Sequence, residues 1–120
     1  MAIRTEISLR LQNSPGALAR VCQHLSDERV NILALCVEGG GMLRMLVDNP
    51  LHAAGILKSS EHLVEERDVL VIQLPNDPRA LGRAARLLAD AGVNVEYAYG
   101  SVAEDHTMAA VGVGVEKAQR

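Results

Sequence analysis

Apolar and polar residues alternate from the start of the chain. Ile3, Thr5, Ile7, Leu9 and Leu11 interleave with Arg4, Glu6, Ser8 and Arg10, a period of two that predicts a strand over 3–11 with one apolar face. The stretch "NSPG" then breaks the pattern. Asn13 or Ser14 can cap a helix, Pro15 suits a first helical position, and Gly16 lets the backbone approach something closely. Leu18, Val21, Cys22 and Leu25 follow at helical spacing and predict an amphipathic helix. Residues 31–38 and 41–48 read as strands joined through "GGG", where glycine adopts positive φ without strain. Asn49-Pro50 opens a short helix to about Ser59 with Leu51, Ala54 and Leu57 inward, and "HLVEER" closes the series as a strand.

The order β-α-β-β-α-β predicts a ferredoxin-like α+β unit, two helices on one face of an antiparallel sheet. The pattern then restarts almost without a linker. "VLVIQL" at 69–74 is a strand apolar on both faces, continuous or nearly so with "HLVEER". After the "NDPR" turn, Leu81, Ala84, Ala85 and Leu88 repeat the helical stripe, and Gly92 ends it. "NVEYAYGSV" and "HTMAAVGVGV" supply two more strands, joined through Ala103-Glu104-Asp105. Only "EKAQR" remains, so the second unit is short of a closing strand.

Residues 13–31 and 76–94 align without a gap at an offset of 63 and agree at nine of nineteen positions, including Asn13/Asn76, Pro15/Pro78 and Asn31/Asn94. Those are not helix-core positions, so the agreement indicates duplication. Two units follow, 1–67 and a shortened 68–120. Residues 108–115 are small or aliphatic on both faces, which on an edge strand invites pairing; this predicts a homodimer with that region near its interface.

Composition narrows the function. The core must come from Leu, Val, Ile, Ala and Met, because Phe and Trp are absent and Tyr97 and Tyr99 are the only aromatics of the chain. A Phe or Trp stacking wall is thereby ruled out. The net charge of −3 argues against a nucleic-acid partner. No apolar run approaches the roughly 20 residues that span a bilayer, and the alternating start lacks a signal-peptide core. A cytoplasmic protein is expected. Cys22 and Cys36 match no metal spacing and read as buried reduced thiols. His24, His52, His62 and His106 are scattered, so no metal and no cofactor is expected.

The motif "N-x-P-G-x-L…D-x-x-V-N-I" at Asn13–Ile32, set between strand, helix and strand, resembles the ACT domain family. "GVNVEYAY" at 92–99 is similar to small stand-alone proteins with two such units and no attached enzyme. The resemblance implies the β-α-β-β-α-β fold and reversible binding of a free amino acid or similar metabolite, often at an interface between two units. It implies ligand contacts from Asn13, Ser14, Gly16, Ala17, Leu18, Asn31 and Ile32. A helix N-terminus offers N–H donors to a carboxylate, and Asn side chains and carbonyls offer acceptors to an ammonium.

The matching second-unit positions are Asn76, Asp77, Arg79, Ala80, Leu81, Asn94 and Val95. Arg79 stands where the pattern has glycine. Either this turn has decayed and Arg79 is a solvated residue, or its guanidinium serves a carboxylate, a ligand's or that of Asp77. Asn31 and Asn94 are open between ligand contact and bonding within the helix-to-strand turn. No residue set reads as catalytic. The expected function is regulatory binding, with any output passing through the oligomer or a separate effector protein. A ligand-free structural adaptor is the alternative; a small isomerase or lyase, with Asp77, Cys22 or His24 as its titratable group, ranks last.

Overall fold

The computed structural model describes residues 2–75, 77–102 and 108–115, with side chains placed up to residue 100. Asn76, His106, the Ala103-Glu104-Asp105 joint and "EKAQR" lie outside the described residues. The elements are β1 (Ala2–Arg10), α1 (Ala17–Asp27), β2 (Ile32–Val37), β3 (Met42–Val47), α2 (Pro50–Ser59), β4 (Glu65–Pro75), α3 (Ala80–Asp90), β5 (Val95–Val102) and β6 (Met108–Val115). The class is α+β with antiparallel ferredoxin-like pairing. Two compact units are present: Thr5–Arg67, and Met1–Arg4 with Asp68–Arg120.

In the first unit β3 lies between β2 and β1, antiparallel to both. Ile7 and Leu9 of β1, with Leu43, Met45 and Val47 of β3, meet Val21 and Leu25 of α1 and Ala53, Ala54, Ile56 and Leu57 of α2 in one core. The register pairs Ile7 with Met45 and Leu9 with Leu43, so the period of two delivers all of them to the helix side. Asn49 caps α2, accepting the His52 N–H at 3.2 Å, with Pro50 in the first turn.

One inward position expected on α2 is not inward. Leu51 is 82% exposed, because the buried arc of α2 centres on Ala53 and Leu57 and leaves Leu51 on the far side. On the polar face of β1, Glu6 is 1% exposed and Ser8 is buried. The Arg44 guanidinium reaches Glu6 Oε1 at 3.4 Å, which offsets the cost of burying a carboxylate.

In the second unit the order is β4-β6-β5. The stretches at 62–67 and 69–74, read as continuous or nearly so, are one strand, β4, starting at Glu65. Leu70, Ile72 and Leu74 pack on Ala80, Ala84 and Leu88 of α3. Leu81, placed on the inward stripe by its spacing, is 61% exposed, and Ala85 is exposed as well. β6 is not an edge strand: it pairs with β4 on one side and β5 on the other. Apolar residues on both faces suit that interior position, so the edge-pairing argument for a dimer falls.

The duplication is visible in the backbone. Ser14 N–H bonds Gln12 O, Ala17 N–H bonds Ser14 O and Arg20 N–H bonds Gly16 O. The same three bonds recur from Asp77, Ala80 and Arg83 to Pro75, Asp77 and Arg79. At the other helix end, Val30 N–H to Leu25 O is matched by Val93 N–H to Leu88 O, each 2.9 Å.

Candidate functional site

The first strand–helix turn is built around Gly16. It holds φ +84 as the residue before α1, in the left-handed region where glycine carries no Cβ strain. No side chain caps the helix. The expectation that Asn13 or Ser14 caps it, and that Pro15 opens it, is therefore corrected: the left-handed residue turns the chain into the helix after both have passed. The Leu18 and Ala19 N–H groups have no acceptor within the helix, as in any first turn, and the helix end is partially positive. Arg20 folds back over the turn. Its Nη2 donates to Ser14 Oγ at 3.4 Å, and a Cβ on Gly16 would come within 3.3 Å of its Nη1. A cation thus flanks the helix end, a feature the motif alone does not disclose.

This turn forms one side of an open pocket of about 1020 Å³. Residues 11–19 and Cys22 line that side; Val37 of β2 and Gly40 and Gly41 of the hairpin line the other. Asn13, Ser14, Gly16, Ala17 and Leu18 are therefore brought together. Asn31 and Ile32 are not among them. They line a separate depression of about 430 Å³ with Ser26, Arg29 and Val30, and Cys22 borders both. Asn31 is tied into the β2–β3 end by its backbone: its N–H bonds Asp48 Oδ1 and its carbonyl accepts the Asp48 N–H, both at 3.0 Å.

The hairpin wall is docked on the end of β1. Leu11 N–H donates to Gly41 O at 2.7 Å and Arg10 Nη1 to Gly40 O at 2.6 Å. "GGG" marked a turn in the sequence, but nothing local marked where that turn would lie. Val37, Gly40 and Gly41 were missed for that reason; Leu11, Gln12, Pro15, Ala19 and Cys22 flank the motif positions on the turn side and were not singled out. The pocket offers N–H donors and a nearby guanidinium for an anion, backbone carbonyls for a cation, and the apolar sides of Leu11, Leu18 and Val37.

The second turn keeps the bonds and changes the conformation. Arg79 has φ −102 and ψ −12, right-handed where Gly16 is left-handed. The Asp77 carboxylate accepts the backbone N–H of Arg79 at 2.8 Å, a local Asx turn. Asp77, Arg79, Leu81, Asn94 and Val95 are exposed and Ala80 is buried in the core. Among the described residues no group of three His, Cys, Asp or Glu could hold a metal. His24 Nδ1 instead lies 2.9 Å from Ser60 Oγ, and His52 lies 3.8 Å from Glu28, on the helices. Cys22 and Cys36 are free and half-buried. No helix among the described residues is long and apolar enough to cross a membrane.

Comparison with known proteins gives the fold a lineage. Protein BT0572 from Bacteroides thetaiotaomicron superposes with a TM-score of 0.89 at 31% identity, over 96% of this chain and 81% of that one. The regulatory subunit of aspartate kinase from Thermus thermophilus, in its ligand-free form, shares the fold at 19% identity, with a TM-score of 0.72 over 98% of this chain and 88% of its own. The aspartokinase alpha and beta subunits do so at 15% identity, with a TM-score of 0.68 over 93% and 84%. No curated protein sequence matches. The family model described as an ACT domain pair matches residues 1–116, and the chain belongs to that family.

Proposed function

We propose that this ACT domain pair is a regulatory protein that reversibly binds an amino acid or a related small metabolite at the turn Asn13–Leu18. The observation that carries the reading is the pocket in which Gly16 and the first turn of α1 face the glycine hairpin. The ligand carboxylate sits against the Leu18 and Ala19 amides with Arg20 alongside, and its ammonium meets the Asn13 side chain and neighbouring carbonyls. The ligand side chain lies against Leu11, Leu18 and Val37. Asn31 and Ile32 have no part in this seat unless the ligand extends along the flank of α1 past Cys22. Asp77, Arg79, Ala80 and Leu81, with Asn76, Asn94 and Val95, are read as a decayed copy whose role is structural.

The regulatory role is supported by family membership and by fold-level likeness to a protein named as an aspartate kinase regulatory subunit. A bound ligand biases one arrangement of the protein over another only through a difference in affinity between them. The reading includes a cytoplasmic homodimer that acts on a separate effector and catalyses no reaction itself. Thermal melting against the twenty amino acids at millimolar concentration tests it. A ligand at 100 times its dissociation constant adds about 2.7 kcal/mol; no shift with any of them would favour the ligand-free adaptor.

A further inference from the structure

The glycine hairpin between β2 and β3 is gripped from the face of the sheet opposite the helices. Ile7 and Leu9 point into the core, so Glu6, Ser8 and Arg10 project the other way. Arg44 pairs with Ser8 and shares that face. From there Arg10 Nη1 donates to Gly40 O at 2.6 Å, and Arg44 Nε binds the Glu38 carboxylate at the hairpin's base. Arg44 is itself anchored, its Nη1 lying 3.4 Å from Oε1 of the buried Glu6. The hairpin is bare backbone at its tip: Gly40 and Gly41 hold φ of +89 and +86, and a Cβ on Gly41 would meet Leu11 O at 3.0 Å.

Gly40 and Gly41 line the candidate pocket, while the guanidiniums that hold the hairpin, Arg10 at Gly40 O and Arg44 at Glu38, come from the other side of the sheet. We infer that Arg10 and Arg44 are positioning residues of the site: they fix the hairpin as a rigid wall and so set access to the pocket. The bonds to a carbonyl and a carboxylate are charge-assisted, stronger than neutral ones, and here they restrain a segment of three glycines with high intrinsic freedom. What the pocket holds rests on the proposed function; the positioning does not.

Cys22 reports on the wall, because it lines the pocket. Cys36 pairs with Arg44 on the far face, and Cys36→Ser leaves Cys22 as the single thiol. In that background Arg10→Met and Arg44→Met are each expected to speed iodoacetamide alkylation of Cys22 roughly fivefold, with Arg10→Lys close to the parent. The Leu11 amide should exchange faster in Arg10→Met while those of Ile7 and Leu9 hold their rates. Unchanged Cys22 and Leu11 rates would overturn the inference, as would an acceleration shared by Ile7 and Leu9, which signals general loosening. Protection of Cys22 by amino acids is the separate arm. Acceleration by Arg10→Met with no protection by any of the twenty sinks the ligand seat and leaves the wall standing.

Discussion

Arg29 and Gly92 occupy matching places in the repeat and should respond to substitution in opposite directions. Both end a helix in the left-handed conformation, with φ of +61 and +73. Both make the same bond, Arg29 N–H to Ser26 O and Gly92 N–H to Ala89 O, each 3.0 Å. Only Gly92 is the residue type suited to that conformation. A left-handed residue bearing a Cβ costs roughly 1–2 kcal/mol, and glycine returns about 0.4–1 kcal/mol of that through the entropy of the unfolded chain. Arg29→Gly should therefore stabilise the protein by about 0.5–1 kcal/mol, and Gly92→Ala should destabilise it by a similar amount. A Cβ at Gly92 meets nothing within 4 Å, so its cost is the backbone's alone. Urea unfolding followed by circular dichroism measures both, and the melting temperature should move by about 2–4 °C in each direction. Destabilisation by Arg29→Gly would refute the reasoning, since Arg29 is exposed and its side chain has no core packing to lose.

Three further outcomes are expected. Leu51→Lys should change stability by less than about 0.5 kcal/mol while Leu57→Ala costs about 2–5 kcal/mol, a contrast that tests the face of α2. Glu6→Gln should cost about 1–3 kcal/mol by denaturant melt, because the partly buried Arg44 loses its charged anchor. Gly16→Ala should destabilise by about 1 kcal/mol through its positive φ and weaken amino-acid protection of Cys22, whereas Arg79→Gly should leave that protection unchanged.

The periodicities disclosed each element of the fold, because strands and helices here are set by which residues must leave water. Where residues Leu51 and Leu81 would point was less legible: a stripe wider than the buried arc leaves its flank undecided. Glu6 shows the opposite failure. Alternation marks a polar face, but that Glu6 is buried there and meets Arg44 of β3 is not recorded in the strand's own sequence. The candidate site divides the same way. Gly16 and its turn are written contiguously and were readable. The facing wall at Gly40 and Gly41, and the arginines that hold it, come together only through strand pairing. The capping expectation failed because a left-handed glycine and an Asn or Ser cap are alternative ways to start a helix.

The most direct test of the central claim is a titration of the labelled protein with the amino acid that raises its melting temperature most, followed by amide chemical shifts. The account predicts that the amides of Ser14, Gly16, Ala17, Leu18 and Ala19 move together with those of Gly40 and Gly41, and that they saturate on one isotherm. Shifts confined to Asp77–Leu81, or a stabilising ligand that leaves the first turn unmoved, would contradict it.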